Sequence, residues 1–221
     1  MTKLVIFDLD GTLLNTIEDL ARACNYALGQ CGCPEHATQE YNMLVGRGIT
    51  NLFKGALPPH RRTDECIEQM RRHFLHYYGM HKCDCTRPYD GIIPMLDRLS
   101  ASGIRLAIAS NKYQEGTEEL VKKFFGQYEF ACILGQREGK PIKPDPSVIF
   151  EAINAVPGTS VDETVYCGDS DVDMQTGMNA GVRTAGASWG FRTKEELQAY
   201  GPWMIADSPE ELCDRIMQQE Q

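Results

Sequence analysis

A chain of 221 residues with 42% hydrophobic and 24% charged residues has the composition of an ordinary globular protein, long enough for one full α/β core and a small second unit. Its formal net charge of −9 argues against nucleic acid or an anionic membrane as partner, while local cations could still gather a small anionic substrate. No apolar run approaches the roughly 20 residues of a membrane span. Behind Met1-Thr2-Lys3 the chain enters an apolar stretch with no basic, apolar and small-residue leader, so a cytoplasmic protein is expected. The nine cysteines, an odd number, read accordingly as reduced thiols. Cys31-Gly32-Cys33 and Cys83-Asp84-Cys85 could supply four zinc ligands, but C-x-C is not the usual zinc spacing.

Taken in chain order, short apolar runs predict strands at Lys3–Phe7, Ile104–Ala109, Phe130–Leu134, Thr164–Cys167 and Val182–Ala185. Helical patterns separate most of them, at Ile92–Ser102, Glu115–Phe125, Pro146–Ala155, Asp173–Ala180, Lys194–Tyr200 and Pro209–Gln218, with Asp145 as an N-cap ahead of Pro146. This alternation is that of an α/β protein, a parallel sheet with helices on both faces. Between Thr16 and Cys85 the pattern changes to helices without a convincing strand, as at Ile17–Gln30 and Asp64–Tyr78. That stretch holds all five histidines: His36, His60, His73, His76 and His81. Ile67, Met70, Phe74 and Tyr77 predict the buried face of the second of these helices, which leaves His73 and His76 to solvent. A helical insertion after the first strand would lie over the C-terminal edge of the sheet, where open α/β folds bind ligands.

The chemistry concentrates at predicted strand ends. Asp8-Leu9-Asp10-Gly11-Thr12 follows Leu4-Val5-Ile6-Phe7, and residues i and i+2 of a strand share a side, so Asp8 and Asp10 can face one centre. Their repulsion fits a divalent cation between them, a protonated carboxyl, or no more than a turn at Asp10-Gly11. A second acidic segment, Gly168-Asp169-Ser170-Asp171-Val172-Asp173, follows another apolar strand. Its aspartates fall at positions 1, 3 and 5 of a calcium loop, but Met174 stands where that loop needs glycine and Ala180 where it needs glutamate. A helix N-cap with favourable negative charge remains the plain alternative. Between the two segments lie Ser110-Asn111 at a strand end and Lys143-Pro144-Asp145-Pro146 before a helix. A hydroxyl, a backbone turn and an ammonium beside a carboxylate-bound cation make an anion pocket suited to phosphoryl transfer.

These four segments, in this order across essentially the whole chain, resemble the haloacid dehalogenase-like superfamily in its phosphatase branch. Within the insertion, Val45-Gly46-Arg47-Gly48-Ile49, followed by Leu52 and Ala56-Leu57, is similar to the phosphoglycolate phosphatase group. The resemblance implies a Rossmann-like catalytic core over residues 1–15 and 86–221, with a small, mainly helical cap domain at 16–85 inserted after the first strand. It implies Asp8 as nucleophile and Asp10 as the acid that protonates the leaving oxygen. Mg2+ would be held by the Asp8 carboxylate, the Asp10 backbone carbonyl and Asp169. Ser110, Lys143 and the amides near Leu9, Asp10 and Asn111 would hold the phosphoryl oxygens, and Asp173 would orient Lys143 or a metal-bound water. Thr12 is counted with the substrate-binding residues, and Arg47 could reach a substrate carboxylate bidentately, with a surface salt bridge as its alternative. Asp171 reads as a solvated residue at a helix start. Many relatives are acidic where this chain has Asn15, at the hinge.

The function implied is a magnesium-dependent phosphatase for a small phosphorylated metabolite, for example an acid such as 2-phosphoglycolate. A phosphosugar mutase of the same fold is the alternative, and mutase relatives often carry an apolar residue where this chain has Thr12. Asp10 argues against a dehalogenase, because a halide leaves without an acid. A regulatory module that has lost catalysis is a further alternative, set against the fact that every catalytic position is filled.

Overall fold

A computed structural model describes residues 1–218. Strand β1 (Leu4–Phe7) leads through the short β2 (Leu14–Asn15) into helices α1 (Ile17–Gln30), α2 (Ile49–Ala56) and α3 (Asp64–His81). The chain returns at β3 (Arg87–Pro88), which pairs antiparallel with β2. It then alternates through α4 (Ile92–Ala101), β4 (Arg105–Tyr113), α5 (Gln114–Phe125), β5 (Phe130–Gln136), α6 (Ser147–Asn154), β6 (Thr164–Gly168), α7 (Asp171–Ala180), β7 (Arg183–Ala187), α8 (Lys194–Gln198), β8 (Met204–Ala206) and α9 (Pro209–Gln218).

The main sheet has the order β5-β4-β1-β6-β7-β8 with every neighbouring pair parallel, the Rossmann-like α/β arrangement. Four consecutive apolar residues make β1 because both faces of a central parallel strand are covered. Val5 and Phe7 join one core with Ile92, Met95, Leu96, Leu120 and Leu212. Leu4 and Ile6 join the other with Ile149, Ala152, Ile153 and Ala180. The larger of these side chains, Val, Leu, Ile, Phe and Met, contribute about 1.5–3 kcal/mol each when fully withdrawn from water. The register Phe7 to Ile108 and Phe7 to Cys167 brings the C-terminal ends of β1, β4 and β6 to one level.

The helical insertion has its own apolar centre, where Leu20, Leu28, Phe53, Ile67, Met70, Phe74 and Tyr78 meet. Phe74 stacks on Tyr78 at 5.1 Å between ring centroids. On α3 the buried face is completed by Tyr78 where the sequence predicts Tyr77, since the steps 67, 70, 74 and 78 track the helical stripe. Tyr77 is half-buried instead, stacked against Tyr26 and His81. The carboxylate of Asp19 accepts hydrogen bonds from the amides of Cys85 and Thr86 and from the Thr86 hydroxyl, which pins the exit of the insertion beside its entry.

Four local differences from the sequence reading have simple causes. Strand β4 runs four residues beyond Ala109, because pairing with β5 resumes at Tyr113 and Gln136 after an irregularity. The unanticipated β8 is three residues long and, among the described residues, pairs only with β7. Helix α7 starts at Asp171, two residues early, because Ser170 caps it by accepting from the Asp173 amide. Pro146 occupies the cap position of α6, and Asp145 accepts from the Ser147 amide at 2.9 Å. Among the described residues no helix is long and apolar enough to cross a membrane.

Candidate active site

Asp8 follows β1 directly, its amide bonded to the Cys167 carbonyl of β6 at 2.9 Å. The chain then turns sharply, with the Leu14 amide returning to the Leu9 carbonyl at 3.0 Å. Glycine is required in that turn twice over: Gly11 has φ of 88°, and a Cβ there would stand 2.3 Å from the Asp169 carboxylate. Asp169, one residue beyond β6, is thereby packed against the turn that carries Asp10. Both of its oxygens are held, one by the Thr12 hydroxyl at 2.9 Å and the other by the Phe191 amide at 2.8 Å.

Lys143 is the ammonium at the centre. Its Nζ lies 3.0 Å from Asp8 Oδ1 and 2.7 Å from Asp173 Oδ1, and it also donates to the Ala109 carbonyl and the Tyr166 hydroxyl. Asp173 further accepts from the Tyr166 hydroxyl at 2.5 Å and from Ser170 Oγ at 2.5 Å. Burial opposes charge on both members of this pair, yet their mutual attraction wins: Lys143 is held above its ordinary value and Asp173 below. Asp8 and Asp169 go the other way. Burial raises Asp8 to about 7 against the pull of Lys143, with Asp173 and Asp10 adding to the rise. Burial, then the charges of Asp173 and Asp8, pushes Asp169 well above the usual carboxylate range.

Two carboxylates pushed toward neutrality by burial and by neighbouring aspartates are a fit for a cation. Asp8, Asp169 and Asp173 present oxygens that all lie within 4.8 Å of one another, and among the described residues no other group of His, Cys, Asp or Glu does so, the C-x-C pairs included. Asp173 is already engaged by Lys143, Tyr166 and Ser170, so the place with spare lone pairs lies between Asp8 and Asp169. An all-oxygen donor set of this kind suits a hard divalent ion.

The two aspartates of the opening motif thus have different surroundings. The Asp10 carboxylate stays out of the acidic cluster and takes both of its oxygens to Lys112 Nζ, at 3.2 and 3.0 Å. Beside it opens a cavity of about 60 Å³, floored by Asp8, Asp10, Ser110 and Asn111 and roofed by Leu20, Val45, Ile49, Leu52, Phe74 and Tyr78 of the helical insertion. Ser110 is buried on the cavity wall. The Asn111 side chain is consumed in tying loops, donating to the carbonyls of Gly46 and Lys143 and accepting from the Lys143 amide. The Leu9 amide donates to Asp8 Oδ1 at 2.7 Å.

Two residues expected at the substrate lie elsewhere. Thr12 is fully buried behind Asp169, outside the cavity lining. Arg47 points away from the cavity to pair with Asp171, with its side chain 55% exposed. Asp171, read as solvated, is instead the partner of Arg47 and faces the buried Arg192 guanidinium at 3.7 Å. Arg192, from the loop after β7, donates to the carbonyls of Asn42, Met43 and Val45, so a core side chain holds the loop that borders the cavity. None of the five histidines lines the cavity; His36 bonds the Ala56 carbonyl, His81 pairs with Asp84, His73 is half-buried and His76 exposed.

Sequence reasoning passed over Lys112, Arg192, Tyr166 and Tyr78. Only Lys112 carried a usable signal: alternation places it with Ser110 once β4 is allowed to run past Ala109. Tyr166 sits inside an apolar strand and reads as core, while the reach of Arg192 across to the helical insertion has no local signature.

Known proteins are similar to this chain over most of its length. Phosphoglycolate phosphatase of Aquifex aeolicus is 29% identical over 86% of this chain and 86% of its own length. The pyrophosphatase PpaX of Halalkalibacterium halodurans is 28% identical over 96% of this chain and 95% of its own. A crystal structure from Lactobacillus delbrueckii subsp. bulgaricus, provisionally named a phosphoglycolate phosphatase, superposes with a TM-score of 0.89 at 31% identity, covering 98% of this chain and 99% of that one. The family model for haloacid dehalogenase-like hydrolases matches residues 5–187, a span that takes in the ends of β1, β4 and β6. By that match, and by the fold and strand-end carboxylates it encompasses, the chain belongs to the haloacid dehalogenase-like hydrolase family.

Proposed function

We propose that this protein is a magnesium-dependent phosphatase that hydrolyses a small phosphate monoester through an aspartyl-phosphate on Asp8. The observation that carries the reading is the pairing of unlike aspartates at one strand end: Asp8 buried against Lys143 and beside Asp169, Asp10 turned to the cavity. The Leu9 amide and Lys143 Nζ both engage Asp8 Oδ1, which leaves Oδ2 for bond formation with phosphorus. Asp10 then gives its proton to the departing ester oxygen and later takes one from the water that attacks the aspartyl-phosphate. Ser110 and the amides near Asp10 and Asn111 hold the phosphoryl oxygens, with the positive charge of Lys143 beside them, and Asp173 keeps Lys143 in place. Mg2+, held by Asp8, Asp169 and the Asp10 carbonyl, would supply charge neutralisation for the phosphoryl group when bound.

The names of the relatives favour 2-phosphoglycolate as substrate, and the cavity beside Asp8 and Asp10 takes a small ester. The helical residues 16–85 act in this reading as a cap on a catalytic core of residues 1–15 and 86–221, hinged where β2 pairs β3. Nine unpaired cysteines favour the cytoplasm as its setting. Turnover of 2-phosphoglycolate and of p-nitrophenyl phosphate with Mg2+ and with EDTA, beside Asp8→Asn, tests the reading. Loss of turnover in EDTA and in the variant is expected; metal-independent or Asp8-independent turnover would refute the mechanism. Free phosphate released from glucose 1-phosphate in near-equal yield to the ester consumed would count against the mutase.

A further inference from the structure

Lys112 is a buried cation for which the hydrolytic chemistry has no task. Strand alternation on β4 brings its side chain to the side of Ser110, and the side chain is 3% exposed. An ammonium has three donors and no acceptor. Two go to the two oxygens of Asp10, at 3.2 and 3.0 Å, and one to the Tyr78 hydroxyl at 2.8 Å. The ammonium also stands over the Tyr78 ring, 4.7 Å from its centroid. With all three donors committed, none is left for an anion on the substrate. Tyr78 belongs to α3, fully buried against Phe74 in the apolar centre of the helical insertion. A core lysine therefore joins the acid of the catalytic strand to the interior of the cap.

We propose that Lys112 and Tyr78 form a positioning pair for Asp10, through which the seating of α3 over the sheet sets the orientation of the carboxyl that protonates the leaving oxygen. The inference rests on Asp10 being that acid. A lysine alone is a flexible stem ending in a point charge and orients a carboxylate poorly. Fixed from behind by a hydroxyl and a ring face, its ammonium approaches Asp10 from one direction and grips both oxygens. When α3 lifts away, Lys112 loses that backing and Asp10 loses its fixed orientation. Proton delivery is then confined to the covered site, where water is excluded.

The test separates proton delivery from everything else by the leaving group. Ethyl phosphate expels a strongly basic alkoxide and needs the proton; p-nitrophenyl phosphate expels a stable phenolate and needs little of it. The ratio kcat/KM spans the steps up to phosphoryl transfer, so the later hydrolysis of the aspartyl-phosphate does not enter. Lys112→Met is expected to lower kcat/KM about 100-fold for ethyl phosphate and less than about fivefold for p-nitrophenyl phosphate, the pattern of a lost general acid. Tyr78→Phe, which keeps the ring packing, is expected to move the same ratio about tenfold, and Lys112→Met added to Asp10→Asn to cost less than about twofold more. A crystal structure of Tyr78→Phe should show the Asp10 carboxylate turned from its place. Equal losses on both esters, additive losses in the Asp10→Asn background, or an unmoved Asp10 would overturn the proposal. So would a loss confined to 2-phosphoglycolate, which would make Lys112 a ligand of the substrate carboxylate. Wild-type turnover of the two esters, and its loss in Asp8→Asn, tests the phosphatase reading separately from these ratios.

Discussion

Replacing Thr12 by valine removes one hydroxyl and almost no volume, which isolates what that hydroxyl does. It is fully buried and donates to Asp169 Oδ1 at 2.9 Å; the other oxygen is held by the Phe191 amide. Asp169 would lose one of two donors, and a hydrogen bond to a charged group contributes about 1.5–3 kcal/mol. At about 1.4 kcal/mol per decade that is roughly 10- to 100-fold in the affinity of Asp169 for a cation, the range found when an outer partner of a metal ligand is removed. Without metal the cost is smaller, because Asp169 is pushed toward its neutral form there and a valine beside a neutral carboxyl leaves no unpaired charge. The expected result is therefore conditional: Mg2+ for half-maximal activity rises about 10- to 100-fold, while kcat at saturating Mg2+ changes less than about fivefold. Thermal melting supplies a readout without turnover, since the stabilisation by a bound ion follows RT ln(1 + [L]/Kd) and a tenfold weaker site loses about 1.4 kcal/mol of it. An unchanged Mg2+ requirement, or a collapse of kcat at saturating Mg2+, would show that the Thr12 hydroxyl does not tune Asp169 for the cation. A valine variant that instead retained phosphate on a sugar would restore Thr12 to a role in choosing water as acceptor.

Asp173→Asn breaks a buried pair and leaves Asp8 as the one carboxylate on Lys143; a loss of about 3–5 kcal/mol is expected, seen as a melting point lower by roughly 6–20 °C and as a fall in kcat. A variant melting within about 2 °C of wild type would show that Asp8 suffices as partner. Arg47→Gln severs an ion pair whose arginine is more than half exposed, so KM for 2-phosphoglycolate is expected to stay within about threefold of wild type. A tenfold rise confined to acidic substrates would show that Arg47 leaves Asp171 for the substrate. In EDTA, stability should fall from pH 5 to 8. Asp8, at about 7 in the fold, keeps a proton that the unfolded chain has lost, so its contribution is full below about pH 4 and gone once pH passes 7. Asp169 acts in the same sense, while the lowered Asp173 matters only below its ordinary range. Mg2+ should flatten the decline, and a melting point that rises over this interval without metal would contradict it.

How much of this was legible in the sequence divides by the range of the interaction. Strand β1 is four apolar residues in a row bounded by Lys3 and Asp8, the length and pattern of a strand covered on both faces, so its end at Asp8 followed at once. Alternation then gave Asp8 and Asp10 a common side, but their different partners could not be read, because Lys112 and Lys143 arrive from 102 and 135 residues away along the chain. The early stop assigned to β4 hid Lys112, since Ser110-Asn111-Lys112 is polar and reads as a loop, whereas the strand continues because Asn111 and Lys112 find buried partners. Strand β8, paired on one edge only, is too short for periodicity to register.

The seam between the helical insertion and the core is built so that chemistry and selectivity stay separate. Asn111 reaches the Gly46 carbonyl, and Arg192 reaches those of Asn42, Met43 and Val45. Each of these bonds ends on backbone, which every residue type supplies, so the side chains of the bordering loop can change without opening the seam. The roof residues Leu20, Ile49, Leu52 and Phe74 contribute apolar surface and no hydrogen bond that the catalytic strand ends depend on. Tyr78 is the exception, because its hydroxyl receives the Lys112 ammonium that holds Asp10. Of the roof positions it is therefore the one at which a change meant to alter the substrate would also alter the acid. Exchanges at Leu20, Ile49 or Leu52 should shift the ranking of esters while leaving the Asp10-dependent leaving-group ratio intact.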